Sequence, residues 1–201
     1  MSHHLRSVTR HLDLGCGDKP RNPYGCDEMH GIDIFPRHLA GQGEIRKANL
    51  ALEAIPYPDL HFDSVSAYDF LEHVPRILMT ADAASTRFPF IELMNEIWRV
   101  LKPGGLLYAS TPHYPHPSAF QDPTHVNILT VESHIYFTRP ALLARMYGFQ
   151  GDFSVRRVMP LRPRFDYEPV NQGWRHRLRK WNWGRRGLNS QLLWEFVANK
   201  P

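Results

Sequence analysis

The sequence predicts an α/β protein built on a parallel β-sheet with helices on both faces. Short apolar runs of strand length recur through residues 1–115, and an amphipathic helical pattern lies between two of them. Two more apolar runs come near the C-terminus. Strands that alternate with helices form parallel sheets covered by helices, so this order of elements predicts the fold class.

The predicted strands of the N-terminal part are four apolar runs. They read "HLDLG" at residues 11–15, "HGIDIF" at 30–35, "FDSVSAY" at 62–68 and "GGLLYAST" at 104–111. Apolar runs of this length, bounded by turn residues, are typical of strands buried in the middle of a parallel sheet.

The main predicted helix lies in "FPFIELMNEIWRVLKPGG", residues 88–105. Phe90, Met94, Ile97 and Leu101 recur at helical spacing, which indicates one apolar face packed on a sheet. The Lys-Pro-Gly-Gly sequence that follows is typical of a helix end. We interpret the apolar side chains of this helix as part of the core and not as a cofactor site.

The C-terminal part predicts a short helix and two strands. "TRPALLARMYGF" at residues 138–149 has Pro140 in its first turn and Gly148 just after its end, as expected of a helix. "FSVRRVMPL" at 153–161 and "LLWEFVAN" at 192–199 predict the closing strands.

Composition limits the class of protein. With 201 residues, of which 42% are hydrophobic, the chain has enough apolar side chains for one core, and we expect a single domain over residues 1–201. The two cysteines provide neither a disulfide framework nor a four-ligand zinc site. No apolar run approaches the ~20 residues that cross a bilayer, and the first ten residues lack the apolar core of a signal peptide. These observations predict a cytoplasmic protein.

Two glycines after the first strand and an acidic residue after the second predict a nucleoside pocket. Gly15 and Gly17 allow a sharp turn and a close approach of the backbone to a ligand, and Asp33 can accept hydrogen bonds from a ribose diol. A tight turn beside a solvated Asp is the alternative. A dinucleotide fingerprint needs a small residue where Pro20 stands, and Asp18 would repel a pyrophosphate. A nucleoside without phosphate is therefore favoured, and the chain has no Gly-Lys-Ser/Thr of a P-loop.

Four motifs together resemble those of the class I S-adenosylmethionine-dependent methyltransferases. They are "LDLGCG" at residues 12–17, "GIDIF" at 31–35, "FDSVSAYDFLEHV" at 62–74 and "LKPGGLL" at 101–107. The sequence is most similar to the type 11-like group, which modifies small molecules and glycans. The resemblance implies a Rossmann-like fold whose seven-stranded sheet has the order 3-2-1-4-5-7-6, with strand 7 antiparallel and supplied by "LLWEFVAN". The Pro- and Gly-rich stretch after Gly17 indicates a short or irregular first helix.

The resemblance also implies S-adenosylmethionine as the cofactor and the positions that contact it. The loop after the first strand would hold the methionine part, the acid after the second strand would hold the ribose, and the next residue would lie against the adenine. The segment before the fourth strand would contact the adenine edge, although the family more often has Asp where this chain has Asn. The corresponding residues are Asp13, Gly15, Cys16 and Gly17, then Asp33 and Ile34, then Asn49 and Leu50, and at the end of the fourth strand Tyr68 and Asp69.

Methyl transfer from a sulfonium requires mainly proximity and orientation, and a base only if the acceptor loses a proton. The candidates for the catalytic role are His73, which follows Glu72, and His113, Asp122 and His125 in the stretch after the fifth strand. Each histidine alone also fits a structural role. Together they predict a polar, lid-like loop at about residues 112–137 over the acceptor.

A metal site is not predicted. A site built from His113, His116 and His125 is the alternative, but their spacing matches no standard ligand pattern and methyl transfer needs no metal.

A basic, aromatic insertion is predicted at about residues 161–190, where a short hairpin usually suffices. It contains eight basic and two acidic residues, with Trp174, Trp181 and Trp183 among them. Three interpretations are open: binding of an anionic substrate such as a nucleotide-sugar, lipid-linked glycan or nucleic acid; contact with an anionic membrane surface; or packing on the sheet or on a second subunit in a homodimer.

We therefore predict an enzyme that transfers a methyl group from S-adenosylmethionine to an oxygen or nitrogen of a small, anionic or glycan-like acceptor. The alternative is a non-catalytic protein of methyltransferase fold that binds S-adenosylmethionine or nucleic acid. Methylation of exocyclic base amines is disfavoured because "YDFL" at residues 68–71 lacks the expected prolines. Cytosine C5 methylation is disfavoured because neither cysteine follows a proline.

Overall fold

The computed structural model describes residues 7–36, 44–162 and 174–201. The α-helices are α1 (Pro89–Val100), α2 (Ser118–Gln121) and α3 (Trp174–Arg185), and the 3-10 helices are Leu71–His73, Val131–Tyr136 and Leu143–Tyr147. The strands in chain order are β1 (Arg10–Leu14), β2 (Glu28–Asp33), β3 (Glu44–Lys47), β4 (Phe62–Tyr68), β5 (Leu78–Met79), β6 (Thr86–Arg87), β7 (Leu101–Pro112), β8 (Phe153–Leu161) and β9 (Gln191–Ala198).

The main sheet confirms the predicted topology. Its order is β3-β2-β1-β4-β7-β9-β8, which is the predicted order 3-2-1-4-5-7-6 once the small β5–β6 hairpin is set apart. Strand β9 is antiparallel to both neighbours, and the other pairs are parallel. The carboxyl ends of β1, β2, β4 and β7 therefore lie along one edge, where ligands bind in open α/β sheets.

Helix α1 packs on one face of the sheet. Its apolar side chains, including Phe90, Met94 and Ile97, are buried with Leu107 and Trp194 in the main core cluster. The helix ends at Val100, and Leu101, which the helical spacing had included, is already the first residue of β7. The helix ends there because Leu101 pairs with Phe62 of β4. The register between β4 and β7 then shifts around Gly104, and pairing resumes between Ser64 and Leu106.

The opposite face carries a buried polar row. Asp13, Ser66, Tyr108 and Glu195 are neighbours across four strands, and all four are buried. This face is covered by the connection between β1 and β2, which consists of turns, as its Pro and Gly content predicted. Tyr24 of this connection donates a hydrogen bond to Glu195 at 2.7 Å, so a loop takes the place of a packed helix there.

The predicted helix at residues 138–149 is wrong in type and start. A 3-10 helix of five residues, Leu143–Tyr147, forms instead, because the buried Leu142 before it adopts a left-handed conformation with φ of 47°. Gly148 does end it, as expected, with φ of 90°.

The segment after β7 is fixed to the 3-10 helix that follows β4. The backbone N–H groups of Val126 and Asn127 donate to the carbonyl of Glu72 at 2.8 and 3.0 Å. The side-chain amide of Asn127 donates to the carbonyls of Leu71 and Val74. This buried Asn therefore holds the loop of residues 113–130 against the carboxyl end of β4.

Candidate active site

The loop after β1 depends on glycine. Gly15 and Gly17 have φ values of 63° and 57°, in the left-handed region that other residues rarely adopt. A Cβ atom at Gly15 would also lie 2.6 Å from the ring of Phe70, whereas one at Gly17 would meet nothing within 4 Å. Gly15 therefore lets the segment after β4 pack directly against this loop.

Asp33 joins the ends of the first two strands. Its Oδ2 accepts a hydrogen bond from the N–H of Gly17 at 2.9 Å, and its Oδ1 accepts one from the N–H of Phe35 at 2.8 Å. A carboxylate has about four acceptor positions, so two remain for a ligand. The loop glycine thus orients the acid toward the edge of the sheet.

A cavity of about 320 Å³ opens beside Asp33, and we call it the first cavity. Most of its wall is apolar. Asn49, one of the lining residues, accepts a hydrogen bond from the N–H of Ala51 at 3.1 Å, which fixes the turn it lies in. Five predicted cofactor residues meet in the wall, which consists of Gly15, Ile32, Asp33, Ile34, Ala48, Asn49, Leu50, Ala51, Phe70, His73 and Val74.

Asp13, near the end of β1, and Cys16, between the two loop glycines, do not line the first cavity. Asp13 is buried, and it accepts hydrogen bonds from the hydroxyl of Ser66 at 2.6 Å and from the N–H of Arg21 at 2.8 Å. Burial raises the pKa of Asp13 to about 6. Burial also raises the pKa of the Cys16 thiol to about 12, with the charges of Asp13 and Asp33 adding to the effect. Both side chains hold the shape of the loop.

Tyr68 and Asp69 end β4 and lead into the second half of the site. Asp69 has a left-handed φ of 50°, and its Oδ1 accepts a hydrogen bond from Gln191 at 2.8 Å. The guanidinium of Arg21 lies 4.4 Å from the ring centre of Tyr68. Burial raises the pKa of Asp69, while the Gln191 hydrogen bond and the charge of Arg21 lower it. The sequence analysis did not identify Arg21 or Gln191, because both are brought here by the fold.

A second cavity, of about 630 Å³, lies over the carboxyl ends of β4 and β7. His73 lines it and also lines the first cavity, so the two cavities share this residue in their walls. The wall of the second cavity is largely polar and consists of Asp69, Glu72, His73, Pro112, Ser118, Gln121, Asp122, Pro123, His125 and Gln191.

Hydrogen bonds fix the ring orientation of His73. Its Nδ1 lies 2.9 Å from the hydroxyl of Thr124, which in turn donates to Oδ1 of Asp122 at 2.7 Å. Because the single hydroxyl proton goes to the carboxylate, we assign the proton between Thr124 and His73 to the ring. Asp122 therefore acts on His73 through Thr124, and the Nε2 of a neutral His73 carries a lone pair.

His125 has the same arrangement with a different partner. Its Nδ1 lies 3.2 Å from the carbonyl oxygen of Ala119, which only accepts, so Nδ1 carries the proton. Its ring lies across that of His73, with centroids 4.8 Å apart and planes at 71°. Two of the predicted catalytic histidines are thus adjacent.

Glu72 is the residue of the second cavity that the sequence analysis mentioned but did not assign. Its side chain is 1% exposed, and neither carboxylate oxygen has a hydrogen-bond partner in the described chain. Burial raises the pKa of Glu72 to about 7. The nearby hydroxyl of Thr111 opposes this rise, although the same hydroxyl donates a hydrogen bond to the carbonyl of Pro112 at 3.3 Å. In the sequence, the sign of a functional role for Glu72 was an acidic residue followed by histidine just after a predicted strand.

His113, the remaining predicted catalytic residue, lines neither cavity. It is buried, burial lowers its pKa, and its backbone pairs with Leu129. His116 bonds to Ser118 through Nδ1 at 2.8 Å. Neither belongs to the cluster of potential metal ligands in the described chain, which consists of Glu72, His73 and His125, so the structure does not group the three histidines that the sequence analysis considered.

The predicted basic insertion is described in part, since residues 163–173 lie outside the described residues. Helix α3 forms most of the rest, with Trp174 and Trp181 largely exposed. Three of its arginines lie near its tryptophans: the guanidinium groups of Arg175, Arg179 and Arg185 are 5.5, 6.0 and 4.8 Å from the ring centres of Trp174, Trp183 and Trp181. None of the helices in the described ranges is both long and apolar enough to cross a membrane.

Comparisons with known proteins agree with this fold. A family model described as a methyltransferase domain matches residues 1–186. No curated protein sequence matches the chain. Among solved structures, a chain of the complex between the Haloferax volcanii Trm112 methyltransferase activator and a methyltransferase has a TM-score of 0.58 and 16% identity, covering 96% of this chain and 84% of that one.

Two further structures show the same architecture. An S-adenosylmethionine-dependent methyltransferase from Mesorhizobium loti has a TM-score of 0.57 and 15% identity, covering 94% of this chain and 92% of its own. The [4+2]-cyclase SpnF has a TM-score of 0.55 and 17% identity, covering 98% and 77%. At these identities the likeness concerns the fold alone, because one fold carries several chemistries.

Proposed function

The chain belongs to the methyltransferase-domain family, and we propose that it transfers a methyl group from S-adenosylmethionine to an oxygen or nitrogen atom of a small acceptor. The observation that carries the proposal is the position of His73 in the walls of both cavities. A donor in the first cavity and an acceptor in the second would meet at this residue. Such proximity can be worth ~7–11 kcal/mol of the barrier.

The first cavity fits the nucleoside part of S-adenosylmethionine. Its apolar wall suits an adenine ring, and Asp33 keeps two acceptor positions for the ribose hydroxyls. When bound, the cofactor supplies a methyl group that its sulfonium already activates. The residues that would hold it are Asp33 at the ribose, Ile34, Asn49 and Leu50 at the adenine, and Gly15, Gly17, Tyr68 and Asp69 at the methionine part, with Asp13 and Cys16 supporting the loop.

The second cavity suits a polar acceptor. His73 and His125 present Nε2 lone pairs, and Glu72 presents a carboxylate without a partner. A hydroxyl or amine of the acceptor would donate a hydrogen bond to one of these groups and be oriented toward the first cavity. Asp122 would act as a positioning residue through Thr124. The loop of residues 113–130 would act as the lid of this cavity.

Charge supports an anionic or glycan-like acceptor. Helix α3 ends at Arg185, shortly before Gln191 in the wall of the second cavity. Arginine and tryptophan side chains bind phosphates and stack on sugar or base rings. We propose that this helix contributes to the mouth of the acceptor site.

Calorimetric titration with S-adenosylmethionine and S-adenosylhomocysteine tests the donor half of the proposal. We expect micromolar binding by the native chain and at least ~10-fold weaker binding by Asp33→Ala, which corresponds to ~1.4 kcal/mol. The exposed Glu132→Ala, in the 3-10 helix Val131–Tyr136, is the matched control and should bind as the native chain does. Equal affinity of Asp33→Ala and the native chain would contradict the assignment.

A second candidate is a non-catalytic protein of the same fold that binds nucleic acid, and the exposed Trp and Arg side chains of α3 favour it. Binding of single-stranded RNA should then weaken steeply with salt and be lost when Arg179 and Arg185 are both changed to Glu. Turnover of S-adenosylmethionine with any acceptor would exclude the non-catalytic alternative, whatever the RNA result.

A further inference from the structure

Three potential ligand atoms converge in the second cavity. Glu72, His73 and His125 each offer one, and all three atoms lie within 4.8 Å of one another. Oε1 of Glu72 is 4.0 Å from Nε2 of His125. These are separations that a single ion placed between the atoms can bridge with small side-chain movements, since metal bonds to nitrogen and oxygen measure about 2.0–2.2 Å.

The carboxylate of Glu72 needs a partner that the described chain does not provide. It is 1% exposed, and neither of its oxygens accepts a hydrogen bond within residues 7–36, 44–162 and 174–201. A buried carboxyl group without a hydrogen-bond partner is costly, and such exceptions in native proteins call for an explanation such as an ion. Because the side chain is buried at the wall of a polar cavity and beside two imidazoles, a bound cation explains it directly.

The two histidines are held in the form that binds metal. Nδ1 of His125 donates to the carbonyl of Ala119, and Nδ1 of His73 donates to Thr124, whose hydroxyl donates to Asp122. Metal-binding histidines nearly always donate their other ring N–H to a carbonyl or to a carboxylate, which fixes the ring and leaves a lone pair on the ligating nitrogen. His125 has the carbonyl arrangement, and His73 reaches the carboxylate of Asp122 through the hydroxyl of Thr124.

We propose that Glu72, His73 and His125 bind a divalent first-row transition-metal ion. Two imidazoles with one carboxylate suit such ions better than Mg²⁺ or Ca²⁺, which prefer oxygen ligands. Three protein ligands leave positions open toward the cavity. The metal site stands on the geometry of these side chains alone.

The role of the ion rests on the proposed function. An acceptor oxygen bound at an open position would lie beside the first cavity, because His73 lines both spaces, and the ion would stabilise its deprotonated form. Direct hydrogen bonding of the acceptor to the Nε2 lone pairs and ligation of a metal by them are exclusive uses of the same atoms. Metal binding therefore decides between the two modes of acceptor orientation.

The test is a titration of the chelator-treated native chain with Co²⁺ in the absence of S-adenosylmethionine. Calorimetry measures affinity, and visible absorption of Co²⁺ reports ligation by the protein. We expect a single ion per chain, with Glu72→Gln and His125→Ala weakening binding at least ~10-fold and Thr124→Val weakening it by about 10–100-fold through His73. His116→Ala, a histidine of the same loop outside the cluster, should bind as the native chain does.

Thermal unfolding in the presence of chelator checks that each variant is folded without metal. Glu72→Gln is chosen because it keeps the size of the side chain. Co²⁺ should raise the unfolding temperature of the native chain more than that of His125→Ala. No binding at millimolar Co²⁺, an equal loss in His116→Ala, or displacement of Co²⁺ by equimolar Mg²⁺ would overturn the assignment. Because no methyl donor is present, a negative result leaves the proposed methyl transfer standing, and failure of S-adenosylmethionine to bind leaves the metal site standing.

Discussion

The ring of Phe70 packs against Gly15, so closely that a Cβ atom at Gly15 would lie 2.6 Å from its Cδ2 atom. This contact joins the loop after β1 to the segment after β4. Both residues line the first cavity, and the 3-10 helix that carries Glu72 and His73 begins directly after Phe70. The two cavities therefore share one packed junction.

Gly15→Ala should destabilise the protein more than the same substitution at a glycine that has open space around it. Gly25 has the same φ of 63° but open space around it, so Gly25→Ala measures backbone strain alone, on the order of 1 kcal/mol. The overlap with Phe70 should add about 1–3 kcal/mol, as overpacking does. Urea denaturation of both variants gives the difference. Equal losses in the two variants would show that Phe70 moves aside freely.

Arg157 and Arg156 offer a comparison at the buried Glu195. Nε of Arg157 lies 3.0 Å from Oε2 of Glu195, while Nη1 of Arg156 lies 3.7 Å from Oε1 and its side chain is 51% exposed. Removing the close partner of a buried charge is costly, so Arg157→Met should lower the free energy of unfolding by about 3 kcal/mol. Arg156→Met should cost less than about 1 kcal/mol. A larger loss in the Arg156 variant would mean that the longer contact dominates.

Asn127 should control how firmly the loop of residues 113–130 is held. Its buried amide donates to two carbonyls of the segment after β4, and its Oδ1 accepts a hydrogen bond from Arg76 at 3.0 Å. Asn127→Ala leaves the Val74 carbonyl unpaired and leaves the Leu71 carbonyl with the N–H of Val74 alone, which should cost about 2–3 kcal/mol and speed hydrogen exchange in the loop. The exposed neighbour Val126→Ala is the control. Unchanged exchange in the Asn127 variant would show that other contacts hold the loop.

His11 and Asp13 should make opposite contributions to the pH dependence of stability. His11 bonds to Ser64 and Ser66, and burial lowers its pKa from 6.5 to about 3. Only the unfolded chain therefore protonates it as the pH falls below 6.5, and its stabilisation is lost. Burial raises the pKa of Asp13 from 3.8 to about 6, so the folded chain is protonated first and acidification below pH 6 favours folding.

The two effects nearly cancel between about pH 6 and pH 4, and single variants should reveal them. Relative to the native chain, Asp13→Asn should lose about 2 kcal/mol of unfolding free energy when the pH falls from 6 to 4, and His11→Gln should gain about as much. Urea titrations at the two pH values measure the difference, in which other titrating groups cancel. Changes of the same sign in both variants would contradict the assigned pKa directions.

Several strand bounds could be predicted because they depend on local apolar patterns, whereas the sheet order was implied by the resemblance to class I methyltransferases. The apolar runs at residues 62–68 and 153–161 match β4 and β8 residue for residue. Strand β3, only four residues long with no fully buried side chain, has no such pattern and was implied only by the family. Four residues of the first cavity lie within a few positions of strand ends, and the motifs of the resemblance indicated them: Gly15, Asp33, Asn49 and Leu50.

The second cavity depends on contacts that only the tertiary structure provides. The sequence identified His73 and His125 as polar residues on loops, but not that Glu72 lies buried between them without a partner, nor that His113 lies away from both cavities. The physical reason is distance along the chain. The loop carrying His125 reaches Glu72 through hydrogen bonds to its carbonyl and through Asn127, and no local periodicity encodes such long-range contacts.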